Sequence, residues 1–446
     1  LDVTRLSAVL EGWADRYGPL YRIRLGGRDA LVVADVDAIH TMLRRRPDGF
    51  RRLHTIESVL AELGITGAFS AEGQDWRRLR RLAMQSLHAD YLRRYSGTVA
   101  RVTARLHERW ARAAATAADV DVQQDMMRYT VDVIAGLSLG YDLNTLQDDS
   151  DPLQARLREF FPMVNRRVNA AFPYWRYVKL PADRRLDRTR AEIDTTVRDI
   201  IGAARLRRAA DNRPPADMLE AMLAPQDGVA AFTDAEIAGT VITMLLAGQE
   251  TTASTMSWMV HCMIEHPEVQ ARMREEADRV SGAAAADYDA TAKLPYIEAV
   301  INETMRVRPI APVLFLEPND DTVIAGVQVP RGTPVFALSM YHARRDSHFV
   351  HGGSFDPDRW LRDGAASRSE GHDTRAFLPF GAGPRYCPGR NLAMLEATMV
   401  AAMLVRNFHI TRPPAAPAVG ERFAFTYQPV GVTARITARP AADRPQ

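Results

Sequence analysis

The chain has two cysteines, Cys262 and Cys387, in different settings. Cys387 lies in Phe380-Gly381-Ala382-Gly383-Pro384-Arg385-Tyr386-Cys387-Pro388-Gly389, a glycine-rich turn leading into a helical stretch at Asn391–Val405. Backbone N–H groups at a turn and helix start stabilise a thiolate. A thiolate is a metal ligand, and on iron it favours O–O cleavage. Gly383 and Gly389 let the backbone approach a flat ligand closely. Cys262 sits in an apolar helical run, where cysteine usually acts as a small buried hydrophobe.

Three other groupings could do chemistry. Ala247-Gly248-Gln249-Glu250-Thr251-Thr252 puts an acid and a hydroxyl inside an apolar helical pattern. A helical threonine commonly returns its hydroxyl to a carbonyl one turn earlier. Gly248, however, costs a helix interior about 1 kcal/mol relative to Ala, so the cluster needs a reason. In Glu303-Thr304-Met305-Arg306 the two charges are helix neighbours. An exposed pair of that kind contributes little to stability. Trp76-Arg77-Arg78-Leu79-Arg80-Arg81 reads as a solvated basic helix, with Trp76 and Arg80 on one face.

The elements that must position these residues are mostly helical. The opening reads as a helix, Leu6–Tyr17, then strands at Leu20–Arg24 and Ala30–Val33; helical patterning dominates from there to about residue 310. One helix starts at Thr233, with Glu236 completing a capping box and Phe232 and Ile237 flanking it as a hydrophobic staple. It runs without proline to Pro267, roughly 50 Å at 1.5 Å per residue, and Val241–Gly248 is apolar on nearly all sides. Ser281–Thr291 reads as loop and Leu294–Arg306 as helix. Short strands follow at Val323–Ile324, Val327–Val329 and Val335–Leu338. Asp363–Asp373 and Pro413–Gly420 read as loops, and Phe423–Tyr427 with Val432–Ile436 as a closing hairpin.

Charge excludes some classes. A net charge of +2 points to neither nucleic acid nor a strongly acidic partner. Two cysteines rule out a disulfide scaffold, so a cytoplasmic setting is expected. No apolar run reaches the roughly 20 residues of a membrane span, and no signal peptide or anchor is expected. No composition break divides residues 1–446, which read as a single domain.

The cysteine segment closely resembles the loop of the cytochrome P450 superfamily, Phe-x-x-Gly-x-Arg-x-Cys-x-Gly, matched at Phe380, Gly383, Arg385, Cys387 and Gly389. All four groupings occur in family order, and the likeness runs from Tyr17-Gly18-Pro19 to the last hairpin. The resemblance implies a mainly α fold with small β sheets, and haem b (iron protoporphyrin IX) between the long central helix and the cysteine-loop helix. It implies Cys387 as iron ligand, with Phe380, Gly381, Gly383, Gly389, Ala247 and Gly248 beside the cofactor. Trp76 and Arg80 would hold one propionate and Arg385 the other, leaving Arg77, Arg78 and Arg81 for an acidic electron donor. Thr251 would order dioxygen and water, Glu250 would relay protons, and the helix would open near Gly248. Glu303, Arg306 and Arg359, the last in Phe355-Asp356-Pro357-Asp358-Arg359-Trp360, would form a buried structural charge network.

There is one departure. Many bacterial members carry an arginine where this chain has Phe315 or Leu316, and many have His where it has Arg385. The chain therefore resembles the fatty-acid hydroxylase-like and eukaryote-like branches more closely, as a bacterial member.

By position in the family pattern, Phe69, Thr243, Ala247, Ala311, Val313 and Phe425 would line an apolar substrate pocket with one hydroxyl. Phe160–Tyr177 would form its lid, where Arg166 and Arg167 read as a solvated pair or as contacts to an acidic substrate group. The implied activity is insertion of one oxygen atom from O2 into an apolar small molecule, in natural-product tailoring. The implied donor is an external ferredoxin or flavodoxin with its reductase, and the implied state a monomer. A fatty-acid hydroxylase, a peroxide-driven haem-thiolate enzyme and a non-catalytic haem sensor or electron carrier are the alternatives; loss of the acid–threonine pair would mark the peroxide-driven one.

Overall fold

The computed structural model describes residues 5–440, apart from 26, 149–151, 169, 171, 211–214, 216, 225–231, 281–287, 362–371 and 424–425. In chain order the helices are α1 (Leu6–Tyr17), α2 (Val36–Arg44), α3 (His54–Glu62), α4 (Gly73–Ser86), α5 (Ala89–Thr116), α6 (Val122–Leu139), α7 (Pro152–Val168), α8 (Pro181–Ala210), α9 (Met218–Leu223), α10 (Asp234–Glu265), α11 (Pro267–Arg279), α12 (Tyr288–Thr291), α13 (Pro295–Val307) and α14 (Arg390–Asn407). The strands are β1 (Leu20–Leu25), β2 (Arg28–Val33), β3 (Phe50–Arg52), β4 (Asp119–Asp121), β5 (Leu314–Pro318), β6 (Thr322–Ile324), β7 (Val327–Val329), β8 (Val335–Ala337), β9 (Phe408–Thr411), β10 (Gly420–Phe423), β11 (Tyr427–Val430) and β12 (Thr433–Ala438). The chain divides into two compact units, one of Leu1–His54, Trp110–Met126 and Thr251–Gln446, the other of Thr55–Arg109 and Met127–Glu250.

The first unit is built on a five-stranded sheet of order β1-β2-β8-β5-β3, antiparallel except where β2 meets β8. Side chains alternate across a strand, so each strand supplies two faces. Val32, Phe336 and Val313 pack with Leu6, Leu10 and Ala14 of α1. Leu31, Val33, Leu316, Val335 and Ala337 pack with Ile39, Met42 and Leu43 of α2. The sheet is thus covered on both faces. At the departure, Phe315 is half-buried and lies edge-on to Phe336 at 5.0 Å, while Leu316 is buried. α14 is buried on nearly every side from Leu392 to Val405.

The second unit is helical. Arg167 of α7 is buried, donates to Asp183 of α8 at 3.3 Å, and stacks over the Trp175 ring at 5.3 Å. Trp175 in turn donates to Glu62 at 2.8 Å. Arg167 therefore ties the lid region to its own unit and is not the solvated residue expected.

Some boundaries differ from the expectation. β3, β4 and β5 lie where helix or no element is read, because three- to five-residue strands have too few positions to show alternation. Residues 288–291 form α12 and not loop; 281–287 lie outside the described residues. The closing hairpin is β10 with β11, while β12 pairs with β4 and β9 instead. The expected Asp363–Asp373 loop falls mostly outside the described residues, and Asp373 caps the short turn Thr374–Ala376.

Candidate active site

Cys387 is half-buried at the end of a closed loop, where its N–H donates to the Phe380 carbonyl at 2.9 Å. Gly381 and Gly383 have φ of +71° and +70°. A Cβ on Gly383 would land on the Leu43 carbonyl at the end of α2, so only glycine lets the loop lie against that helix. Gly389 has an ordinary φ of −82° as the residue before α14, and a Cβ there would lie 3.8 Å from the Cys387 sulfur. Arg385 is half-buried in the turn Gly383–Arg385, and the Phe380 ring sits between Tyr386 at 6.4 Å and Arg390 at 5.9 Å.

The other cysteine is chemically quiet. Cys262 is enclosed in α10, and burial pushes its thiol up to about 12, so it stays protonated. Among the described residues no group of three His, Cys, Asp or Glu could hold a metal ion. One cysteine in a glycine-rich loop, with no such group among the described residues, fits a tetrapyrrole that brings the other iron ligands itself.

The long helix begins as its capping box requires. The Thr233 N–H donates to Glu236 at 2.8 Å, and the Glu236 N–H donates back to the Thr233 hydroxyl at 3.2 Å. Most of α10 between Val241 and Val260 is buried, but Met244, Leu246, Ala247, Gly248, Glu250, Thr251 and Thr255 stay partly or fully accessible. They spread over about half of the helix circumference. Ala247 is exposed, and Glu250 and Thr251 are half-buried. In the second unit, a Cβ on Gly248 would collide with the Ile134 side chain of α6. The glycine's visible role is close helix packing, which the sequence reading did not find.

Trp76 is buried against Ala71 and Leu79 on α4, with Arg80 half-buried one turn on. Arg78 does not stand free for an electron donor. It donates to Glu236 at 2.8 Å and lies over the Phe232 ring at 4.3 Å. The same bond holds the Glu236 carboxyl below the usual carboxylate range. Arg81 remains exposed.

Glu303, Arg306 and Arg359 come together in the first unit, all buried. Arg306 meets Glu303 through two bonds of 2.7 and 2.8 Å and donates to the carbonyls of Ala343, Gly352 and Ser354. Arg359 donates to Glu303 at 2.9 Å. Trp360 and the Asp356 N–H complete the acid's shell at 2.9 and 2.8 Å, and the reading missed both although it quoted their segment.

The expected pocket residues differ in burial. Phe69 is half-buried and Ala311 exposed, while Val313 belongs to the α1-side core. Thr243 is buried against Gly67, and its hydroxyl donates to the Gly239 carbonyl at 2.7 Å. Its hydroxyl is therefore held by its own helix. Phe425 lies outside the described residues.

A model of the family described as "Cytochrome P450" matches residues 4–428, and the chain belongs to that family. It is accordingly a monooxygenase with haem b as cofactor. "Carotene epsilon-monooxygenase, chloroplastic" of Arabidopsis thaliana is 29% identical over 90% of this chain and 76% of its own length. "Bifunctional cytochrome P450/NADPH--P450 reductase 2" of Bacillus subtilis (strain 168) is 27% identical over 92% of this chain, which spans only 38% of that relative. The crystal structure of the cytochrome P450DA heme domain superposes with a TM-score of 0.88 at 24% identity, covering 99% of this chain and 94% of that one. No helix among the described residues is long and apolar enough to cross a membrane.

Proposed function

We propose that this chain hydroxylates or epoxidises a large apolar molecule of natural-product type, drawing electrons from a separate ferredoxin or flavodoxin with its reductase. The balance is one O2, two electrons and two protons, giving oxygenated product and water. Bound haem supplies the oxidising centre that transfers oxygen to the substrate. Cys387 would hold the iron as thiolate, and Arg385, Trp76 and Arg80 would hold the propionates. Glu250 takes protons from solvent, and Thr251 passes them on through its hydroxyl.

The observation that carries this reading is the open face of α10. A largely buried helix on which Ala247 is exposed and Gly248, Glu250 and Thr251 are half-buried is suited to a proton relay. A haem sensor or electron carrier needs no relay threonine. The named carotene substrate of the Arabidopsis relative supports an extended apolar molecule, and the reductase named in the Bacillus relative supports a two-electron supply.

The test is a titration of the haem-loaded protein with carotenoids, polyketide-type macrocycles and fatty acids, followed in the ferric spectrum. The proposal expects a low-to-high spin shift with a carotenoid or macrocycle, and turnover of that compound with reductant. A shift confined to fatty acids would move the assignment to a fatty-acid hydroxylase. No shift with any of them would overturn the apolar-substrate reading.

A further inference from the structure

The second unit places two residues of α6, one helical turn apart, against two consecutive residues of α10. Ile134 fills the space that a side chain on Gly248 would occupy. The buried Thr130 hydroxyl lies 3.0 Å from the Gln249 carbonyl and 3.2 Å from the Met127 carbonyl of its own helix. A hydroxyl has one hydrogen, so the two acceptors share it, with the shorter bond reaching across to α10.

The bond to Gln249 is unusual because of its acceptor. A mid-helix carbonyl already accepts from the N–H four residues on, here Ala253. A second donor drawn from outside tilts that carbonyl and loosens the ladder at that point. The next two residues are Glu250 and Thr251. Contact at Gly248 fixes how closely α10 approaches α6, and the hydroxyl at Gln249 fixes its rotation. Packing alone would do the first; only a hydrogen bond does the second.

We propose that Thr130 is a positioning residue for oxygen activation, orienting the Glu250–Thr251 segment through the Gln249 carbonyl. This rests on the haem-thiolate reading above. Thr130 touches neither substrate nor cofactor in this account.

The test uses haem-loaded parent, Thr130→Val and Thr130→Ser. Valine keeps the shape and removes the donor; serine keeps the donor. Two readouts are taken without substrate. One is the infrared stretch of carbon monoxide on the reduced protein, which senses polar groups beside the bound gas. The other is amide exchange across residues 247–256. The proposal predicts a split or shifted stretch and a several-fold change in exchange for Thr130→Val, with Thr130→Ser matching the parent. If Thr130→Val fails to retain haem, Thr130→Ala serves, since it also removes the donor; the same changes are expected. A Thr130→Val protein that matches the parent in both readouts overturns the proposal. So does a Thr130→Ser protein that behaves like valine, or a Thr130→Ala protein that behaves like the parent. Failure of the parent itself to give a thiolate-type carbon monoxide complex would count against the haem-thiolate reading, and so separates the two.

Discussion

Gly383 shows how much one residue decides in the cysteine loop. Its φ of +70° and the Leu43 carbonyl where a Cβ would sit are independent obstacles to any other residue. Gly381 shares the backbone conformation, with φ of +71°, but faces open space. Gly383→Ala should therefore lose about 1–3 kcal/mol and part of its haem, while Gly381→Ala should lose only the smaller backbone contribution. Thermal denaturation and haem-to-protein absorbance check this. Equal losses would show that contact with α2 is unimportant. The pattern Phe-x-x-Gly-x-Arg-x-Cys-x-Gly is legible at this scale because each glycine is a local requirement. Gly389 is the counterexample, where a glycine in the pattern has an ordinary backbone.

Between elements, the Glu303 network has the most at stake. Its acid and two arginines are buried, so their charges have little water to fall back on. Removing one partner of a buried pair costs about 3–5 kcal/mol, because it leaves an uncompensated charge. Glu303→Gln should accordingly lower stability by about that much in urea denaturation. A loss below about 1 kcal/mol would mean the network behaves as a surface pair. Sequence spacing places Glu303 beside Arg306, but nothing local distinguishes that pair from an exposed one. The difference comes from Ala343, Gly352 and Ser354, whose carbonyls arrive from about 40 to 50 residues away. Contact between α6 and α10 was hidden for the same reason: Thr130 and Gln249 are 119 residues apart. The start of α10 was readable because Thr233 and Glu236 cap it with chemistry three residues long.

At the scale of the whole molecule, the helices were legible and much of the strand pairing was not. α1 and α10 carry long apolar periodicity and local caps, which a sequence displays directly. β12 joins β4 and β9, partners that only the folded chain brings together. The central claim is that this fold presents Cys387 as the thiolate to haem iron. The most direct measurement is the spectrum of the reduced carbon monoxide complex for the parent, Cys262→Ser and Cys387→Ser. Parent and Cys262→Ser should both show the strongly red-shifted Soret band that a thiolate ligand produces, and Cys387→Ser should lose it. Survival of that band in Cys387→Ser would contradict the account.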